Sequence, residues 1–182
     1  MRRLITLLAV AAAMGHGLAA ADEFGLARKL ARAAAEAAQP VHSAEVVVTG
    51  ISDGDTAKVE LDGKSVRLRL ARIDAPEHQK AWGNRSEQSL RELVYKKLVR
   101  IEWREVDRNG RPIVTMTVGG MDVSTEQVRR GMAWVYRAYS MDTELLRLEA
   151  NAREAKLGLW ADPAPVPPWE WRRLKREGEL VK

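Results

Sequence analysis

Three charged clusters stand out in the middle of the chain: Asp53-Gly54-Asp55-Thr56, then Arg69 followed by Asp74-Ala75-Pro76-Glu77, then Asp107-Arg108-Asn109-Gly110-Arg111. Asp55 and Asp74 are hard oxygen donors of the kind that Ca²⁺ or Mg²⁺ takes. Pro76 biases Ala75 toward an extended backbone, which leaves the Ala75 carbonyl available as a further ligand. Glu77, three residues beyond Asp74, could take the proton of an attacking water if it stays off the metal. Arg69 and Arg111 carry planar guanidinium forks that match phosphate oxygens and offset the charge that builds as phosphorus becomes five-coordinate. Metal ligands, a base and two clamps are together what phosphodiester hydrolysis requires. Taken singly, each cluster has a plainer reading as a turn into a strand, a strand exit or a polar connection.

Other chemistries drop out. The Asp-x-Asp spacing at Asp53 would start an EF-hand loop, but Ala57 stands where a ligand is needed and Lys64 where the glutamate is needed. No zinc-binding H-E-x-x-H or glycine-rich phosphate loop appears, and the chain has no Cys. Of the three histidines, His16 lies in the apolar N-terminal stretch, His42 in a linker, and His78 in a loop beside Glu77, where a solvated ring is expected.

The elements that must position these residues can be read from the pattern. Glu45 to Thr49, Thr56 to Leu61 and Ser65 to Leu70 are β-prone and alternating, with the turn signal Asp62-Gly63 between the last two, so three strands run as a meander. Asn84 to Glu87 reads as a capping box opening a helix over 85–97, carried by Leu90, Leu93, Val94 and Leu98. Val99 to Arg104 and Ile113 to Val118 read as the fourth and fifth strands. A second capping box, Ser124 to Gln127, opens a short helix that stops near Gly131. A last helix starts at Asp142, presents Leu145, Leu148, Ala152 and Ala155, and ends at Gly158. Five short strands with about three packed helices make an α+β, mainly β, domain. A five-stranded OB-fold barrel is one such arrangement, and strand counting does not choose it over another α+β fold.

The ends of the chain are of a different kind. Arg2-Arg3, the apolar stretch Leu4 to Met14 and the small residues ending at Ala21 read as a signal peptide over 1–21. Residues 22–43 form an Ala-rich linker or weak helix, 44–160 the domain, and 161–182 a Pro/Trp/Arg tail. In that tail, Pro167 to Arg173 joins aromatic to basic residues, and docking on the domain is preferred to contact with nucleic acid. Trp103, Trp134 and Trp160 are expected in or near the core, and Trp82 in the loop after the charged cluster could stack on a base or cover the core. With 30 Lys+Arg against 25 Asp+Glu the formal charge is +5, which falls to +3 when the leader takes two arginines and no acid with it. No segment is strongly basic, which argues for a local site over a surface that holds polyanions by bulk charge.

The ordered set Asp-Gly-Asp-Thr, Arg69 to Glu77, Asn109-Gly110-Arg111, Glu126 to Met132 and Glu149 to Trp160 resembles the staphylococcal nuclease (thermonuclease) family over about residues 44–160. The resemblance implies an OB-fold barrel and an exported, Ca²⁺-dependent nuclease that cuts DNA and RNA, leaving a 3′-phosphate and a 5′-hydroxyl. Asp55, Asp74 and the Ala75 carbonyl match the family's metal ligands, and Arg69, Glu77 and Arg111 its catalytic arginine, glutamate and arginine. Arg108 falls where the best-known member has Lys, Asn109 where Tyr is commonest, and the loop after Glu77 is shorter. Tyr136 and Tyr139 lie near the family's nucleotide-contacting tyrosines, offset by a residue, and are candidate substrate contacts alongside Arg108. A monomer located in the periplasm or secreted, with no stable membrane insertion after leader removal, is expected. The alternative is a non-catalytic OB-fold module that binds nucleic acid or protein. A degenerate member of that kind would have lost charged site residues, and none is lost here.

Overall fold

Strand β1, His42–Asp53, is twelve residues long, enough for one strand to serve two neighbours. The computed structural model describes residues 40–78 and 80–178, so the expected leader and nearly all of the 22–43 linker lie outside the described residues. The first half of β1 pairs antiparallel with β5 (Leu98–Val106) and its second half with β2 (Thr56–Leu61). Register shifts at Val48/Gly50 and Ile51/Asp53 mark irregularities in its pairing with β2, where a bulge bends and twists a strand. The β2 strand turns back into β3 (Lys64–Leu70) through Asp62 and Gly63, whose φ values of 50° and 71° suit a tight hairpin. Next, β5 pairs with β6 (Pro112–Val118), which closes the circle by running parallel to β3 at Arg69↔Ile113 and Leu70↔Val114. This is the closed five-stranded, mainly β OB barrel.

Three two-residue strands, β4 (Ile73–Asp74), β7 (Met121–Asp122) and β8 (Trp134–Val135), decorate the barrel, with β4 paired to β8. The helices are α1 (Gly83–Val94), α2 (Val123–Arg129), α3 (Thr143–Glu154) and α4 (Pro168–Glu177). The apolar faces of the first three, with Leu90, Val94, Val128 and Leu145 fully or nearly fully buried, meet strand residues such as Val48, Leu68, Ile101 and Met116 in one core. A smaller cluster of Trp134, Ala152, Leu159 and Trp160 lies beside it, with Trp82 and Trp169 packed on it. No described helix is long and apolar enough to cross a membrane.

Several boundaries differ from the sequence reading for reasons visible in the packing. His42 is the first residue of β1 rather than linker, and its ring stacks on Trp103 at 5.3 Å on the barrel wall. Helix α1 spans 83–94 instead of 85–97, and Asn84 does not cap it; Trp82 holds the N-cap place with φ 68° and no side-chain cap bond. Gly83 is drawn against the Glu77 backbone, where a Cβ would come within 2.1 Å of the Glu77 carbonyl oxygen, so tertiary contact sets this helix start. In α2 the cap is Asp122, which accepts from the Thr125 N–H at 2.7 Å, while Ser124 turns its hydroxyl to the Ala71 carbonyl. Helix α3 is capped by Asp142 as expected but ends at Glu154, and Ala155 is exposed.

Arg72 ties two of these helix starts to the barrel. Held at φ 69°, it places Nη2 2.6 Å from Asp122 and Nη1 3.0 Å from Asp142, the caps of α2 and α3. The Leu145 N–H, with Arg72 and the Glu144 N–H, holds the Asp142 carboxyl below its usual range against a small burial penalty. An acid with a depressed folded pKa stabilises the fold above its unfolded pKa, and that contribution is lost as pH falls through the folded value. Asp142→Asn should therefore cost about 0.5–1 kcal/mol at neutral pH, a modest figure for a partly exposed charge. The gap to wild type should narrow below pH about 4. Urea titrations at pH 7 and pH 3 check this, and an equal gap at both contradicts it.

Candidate active site

Asp55 and Asp74 approach one another from the β1–β2 turn and from β4, and both are almost fully buried, at 5% and 2% exposure. Their common partner is Arg69 near the end of β3, whose Nη2 lies 3.1 Å from Asp55 Oδ2 and 3.0 Å from Asp74 Oδ1. Arg69 is itself pinned by donating to the carbonyls of Leu70 (2.7 Å) and Ile73 (2.9 Å), so its orientation is fixed from behind. Asp55 also accepts from the Ala75 N–H at 2.7 Å and from the Thr56 hydroxyl at 3.1 Å. The Ala75 backbone is thereby brought against the Asp55 carboxylate.

Burial pushes the Asp55 carboxyl up to about 7, with nearby Asp53 adding to the rise and Arg69 opposing it. Asp74 is likewise raised by burial and by Asp55, against the pull of Arg172 and Arg69. Two buried acids that resist ionisation in this way favour any additional cation that reaches them. Among the described residues no group of three or more acidic or histidine side chains converges for a metal ion. The carboxylate oxygens of Asp55 and Asp74 are hard donors, of a kind that suits an alkaline-earth ion better than a soft one.

Glu77 stands at the rim, its side chain 41% exposed and within reach of water. Arg111 is placed differently from Arg69. Its Nε and Nη2 bind Asp107 at 2.7 Å, and its Nη1 reaches Thr56 Oγ1 at 3.4 Å, so it touches the carboxylate pair only through Thr56. Although burial alone would raise Asp107, the Arg111 N–H and guanidinium and the Asn109 N–H hold its carboxyl below the usual range. The loop Asp107–Gly110 leaves Arg108 exposed. Tyr136 is half-buried and Tyr139 is 58% exposed, and their rings tilt together at 4.9 Å.

Helix α4 crosses this region. Trp169 stacks flat on Tyr136, with centroids 5.5 Å apart and planes at 6°. Arg172 puts Nη2 2.5 Å from Asp74 Oδ2 and Nη1 3.0 Å from Glu77 Oε1. Sequence reasoning saw the mixed aromatic and basic run at Pro167 to Arg173 but not that it meets these acids. Two buried polar residues were missed as well. Gln127 donates to the Gly54 carbonyl (2.7 Å) and the Ser86 carbonyl (3.2 Å) and accepts from Ser89 (2.6 Å), tying the Asp-Gly-Asp turn to α1. Glu149, 1% exposed, accepts from the Val135 N–H at 2.9 Å and pairs with Arg137 at 2.6 Å, which fixes the strand leading to Tyr136. The turn is so closely packed on α1 that a Cβ at Gly54 would fall 1.8 Å from Ser86 Oγ.

Comparison with known proteins shows the class of protein that this closed OB barrel belongs to. A family model described as staphylococcal nuclease homologue matches residues 67–162. The chain is 42% identical over 130 residues to an uncharacterized endonuclease of Haemophilus influenzae, covering 71% of this chain and 73% of that protein. It is 39% identical over 140 residues to the micrococcal nuclease of Shigella flexneri, covering 71% and 80%. It is 42% identical over 137 residues to protein ParB of Escherichia coli, covering 69% and 77%. The chain belongs to the staphylococcal nuclease family and is a phosphodiester-hydrolysing nuclease.

The position of Asp55 depends on Gln127. Removing that amide leaves buried carbonyls unpaired and a cavity beneath the turn, so Gln127→Ala should cost about 3 kcal/mol. Urea denaturation measures this, and a loss below about 0.5 kcal/mol would show that the turn holds without it.

Proposed function

We propose that this nuclease is Ca²⁺-dependent, acts on both DNA and RNA, and leaves 3′-phosphate and 5′-hydroxyl ends. The observation that carries the reading is the buried pair Asp55 and Asp74 converging on Arg69 with the Ala75 backbone against them. Asp55, Asp74 and the Ala75 carbonyl would hold the ion. When bound, it supplies positive charge that stabilises a phosphate oxygen as negative charge grows on it. Glu77 takes the proton of a water as its oxygen attacks phosphorus, and its exposed position at the rim suits that role. Arg69 stabilises the equatorial oxygens from inside the site, and Arg111 does so from the Thr56 side. The P–O5′ bond breaks, and the 5′ oxygen takes up a proton from solvent to leave as hydroxyl. Tyr136, Tyr139 and Arg108 would contact the strand outside the reacting phosphate. The Arg2-Arg3 and apolar N-terminal run support export before the enzyme acts.

The test is digestion of single- and double-stranded DNA and of RNA in Ca²⁺ and then in chelator, with chemical identification of the ends. Chelator should abolish cleavage, and Glu77→Ala should lower kcat by about 10²–10⁴. Full activity in chelator, or in the Glu77 variant, overturns the mechanism, and 5′-phosphate ends overturn the assigned bond.

A further inference from the structure

Helix α4 is anchored without Arg172. Pro168 is buried, Trp169 lies flat on Tyr136, and the Lys80 ammonium sits 4.4 Å from the Trp171 ring centroid. Arg172 follows Trp169 by three residues and so shares its face of the helix. There its guanidinium spans the site, bonding Asp74 Oδ2 at 2.5 Å, Glu77 Oε1 at 3.0 Å and Asp74 Oδ1 at 3.4 Å. Arg69 reaches the same Asp74 Oδ1 from the barrel side. Two guanidiniums thus converge on one carboxylate, and Arg172 is also the arginine bonded to the rim glutamate. Arg111 is committed to Asp107 and reaches only as far as Thr56.

We infer that Arg172 is a third arginine of the active site, a substrate-contacting residue that helix α4 delivers to the phosphate being cut. This rests on the nuclease reading of the site given above. A guanidinium has five N–H donors, and Arg172 makes three hydrogen bonds here with its side chain 33% exposed, so donors remain for an incoming phosphate. A divalent cation at Asp55 and Asp74 competes with Arg172 for Asp74 and repels it, since both are positive. The nearest replacement anion is a phosphate beside Glu77. Arg172 and the cation therefore oppose each other, whereas Arg172 and the strand favour each other. A side chain that only latched the site shut would, when removed, tighten both ligands, and a purely structural one would weaken both or neither.

The experiment compares full-length wild type, Arg172→Ala and Arg172→Lys, with thermal melts to confirm folding. Ca²⁺ binding is followed by calorimetry without nucleic acid, and binding of a fluorescent, cleavage-resistant phosphorothioate single strand in Ca²⁺ is followed by anisotropy. Arg172→Ala should bind Ca²⁺ about threefold more tightly. It should bind the strand about tenfold more weakly, with KM for cleavable DNA rising in parallel. Arg172→Lys, which keeps the charge but loses the fork, should lie between on strand binding, and it carries the test if the alanine variant does not fold. Strand binding that is unchanged or tighter in both variants overturns the proposal. Because this binding is read without cleavage, a wild type that binds the resistant strand but does not cut the cleavable DNA overturns the nuclease mechanism alone. A wild type that cuts normally while the variants bind the strand as it does overturns the role of Arg172 alone.

Discussion

The interaction on which this domain depends is the burial of two acids, Asp55 and Asp74, against the guanidinium of Arg69 that they share. Desolvating a carboxylate costs several kcal/mol, and a second one nearby adds repulsion, so such a pair persists only where surrounding groups are fixed in advance. The surroundings meet that demand from all sides. The β3 strand supplies Arg69 and the Leu70 carbonyl, β4 supplies the Ile73 carbonyl, β2 opens with the Thr56 hydroxyl, and the segment after β4 supplies the Ala75 N–H. Behind the turn, Gln127 from α2 and the serines of α1 hold Gly54 in a space where no side chain fits. The cost of burial is thus spread over barrel and helices alike.

The outer parts of the site obey a looser rule. Arg111 and Glu77 are partly exposed and keep partners that a substrate could displace, Asp107 for one and Arg172 for the other. Charges at a rim are cheap to hold and cheap to redirect, whereas those beneath it are neither. The gradient from fixed to adjustable runs from Asp55 outward, which is the order in which a water, a phosphate and a nucleic-acid strand would meet the protein.

Much of this was legible in the sequence because it is local. Alternation gave the strands of the meander, Asp62-Gly63 its hairpin, and the charged clusters lie in short runs whose spacing is their signal. What escaped the sequence is what depends on contacts between distant segments. Asn84 looked like a cap, but the approach of Gly83 to the Glu77 backbone moved the helix start. Ser124 looked like a cap, but Asp122 was drawn into the place by Arg72. Gln127 and Glu149 are ordinary polar letters until the fold buries them, and Arg172 is one of several basic residues in a tail until a helix anchored by two tryptophans lands it on Asp74. Polarity in a sequence does not reveal which polar groups will be inside.

The parallel contact of β3 with β6 closes the barrel at only two residue pairs, Arg69↔Ile113 and Leu70↔Val114. Of those two strands, β3 carries Arg69 and β6 immediately follows Arg111. A chain whose meander has formed but whose last seam is still open holds these arginines on strands that do not meet. Closing this seam is a long-range step, slower to form than a hairpin. The two arginines of the site are thus brought together by the one part of the barrel that no local turn helps to form.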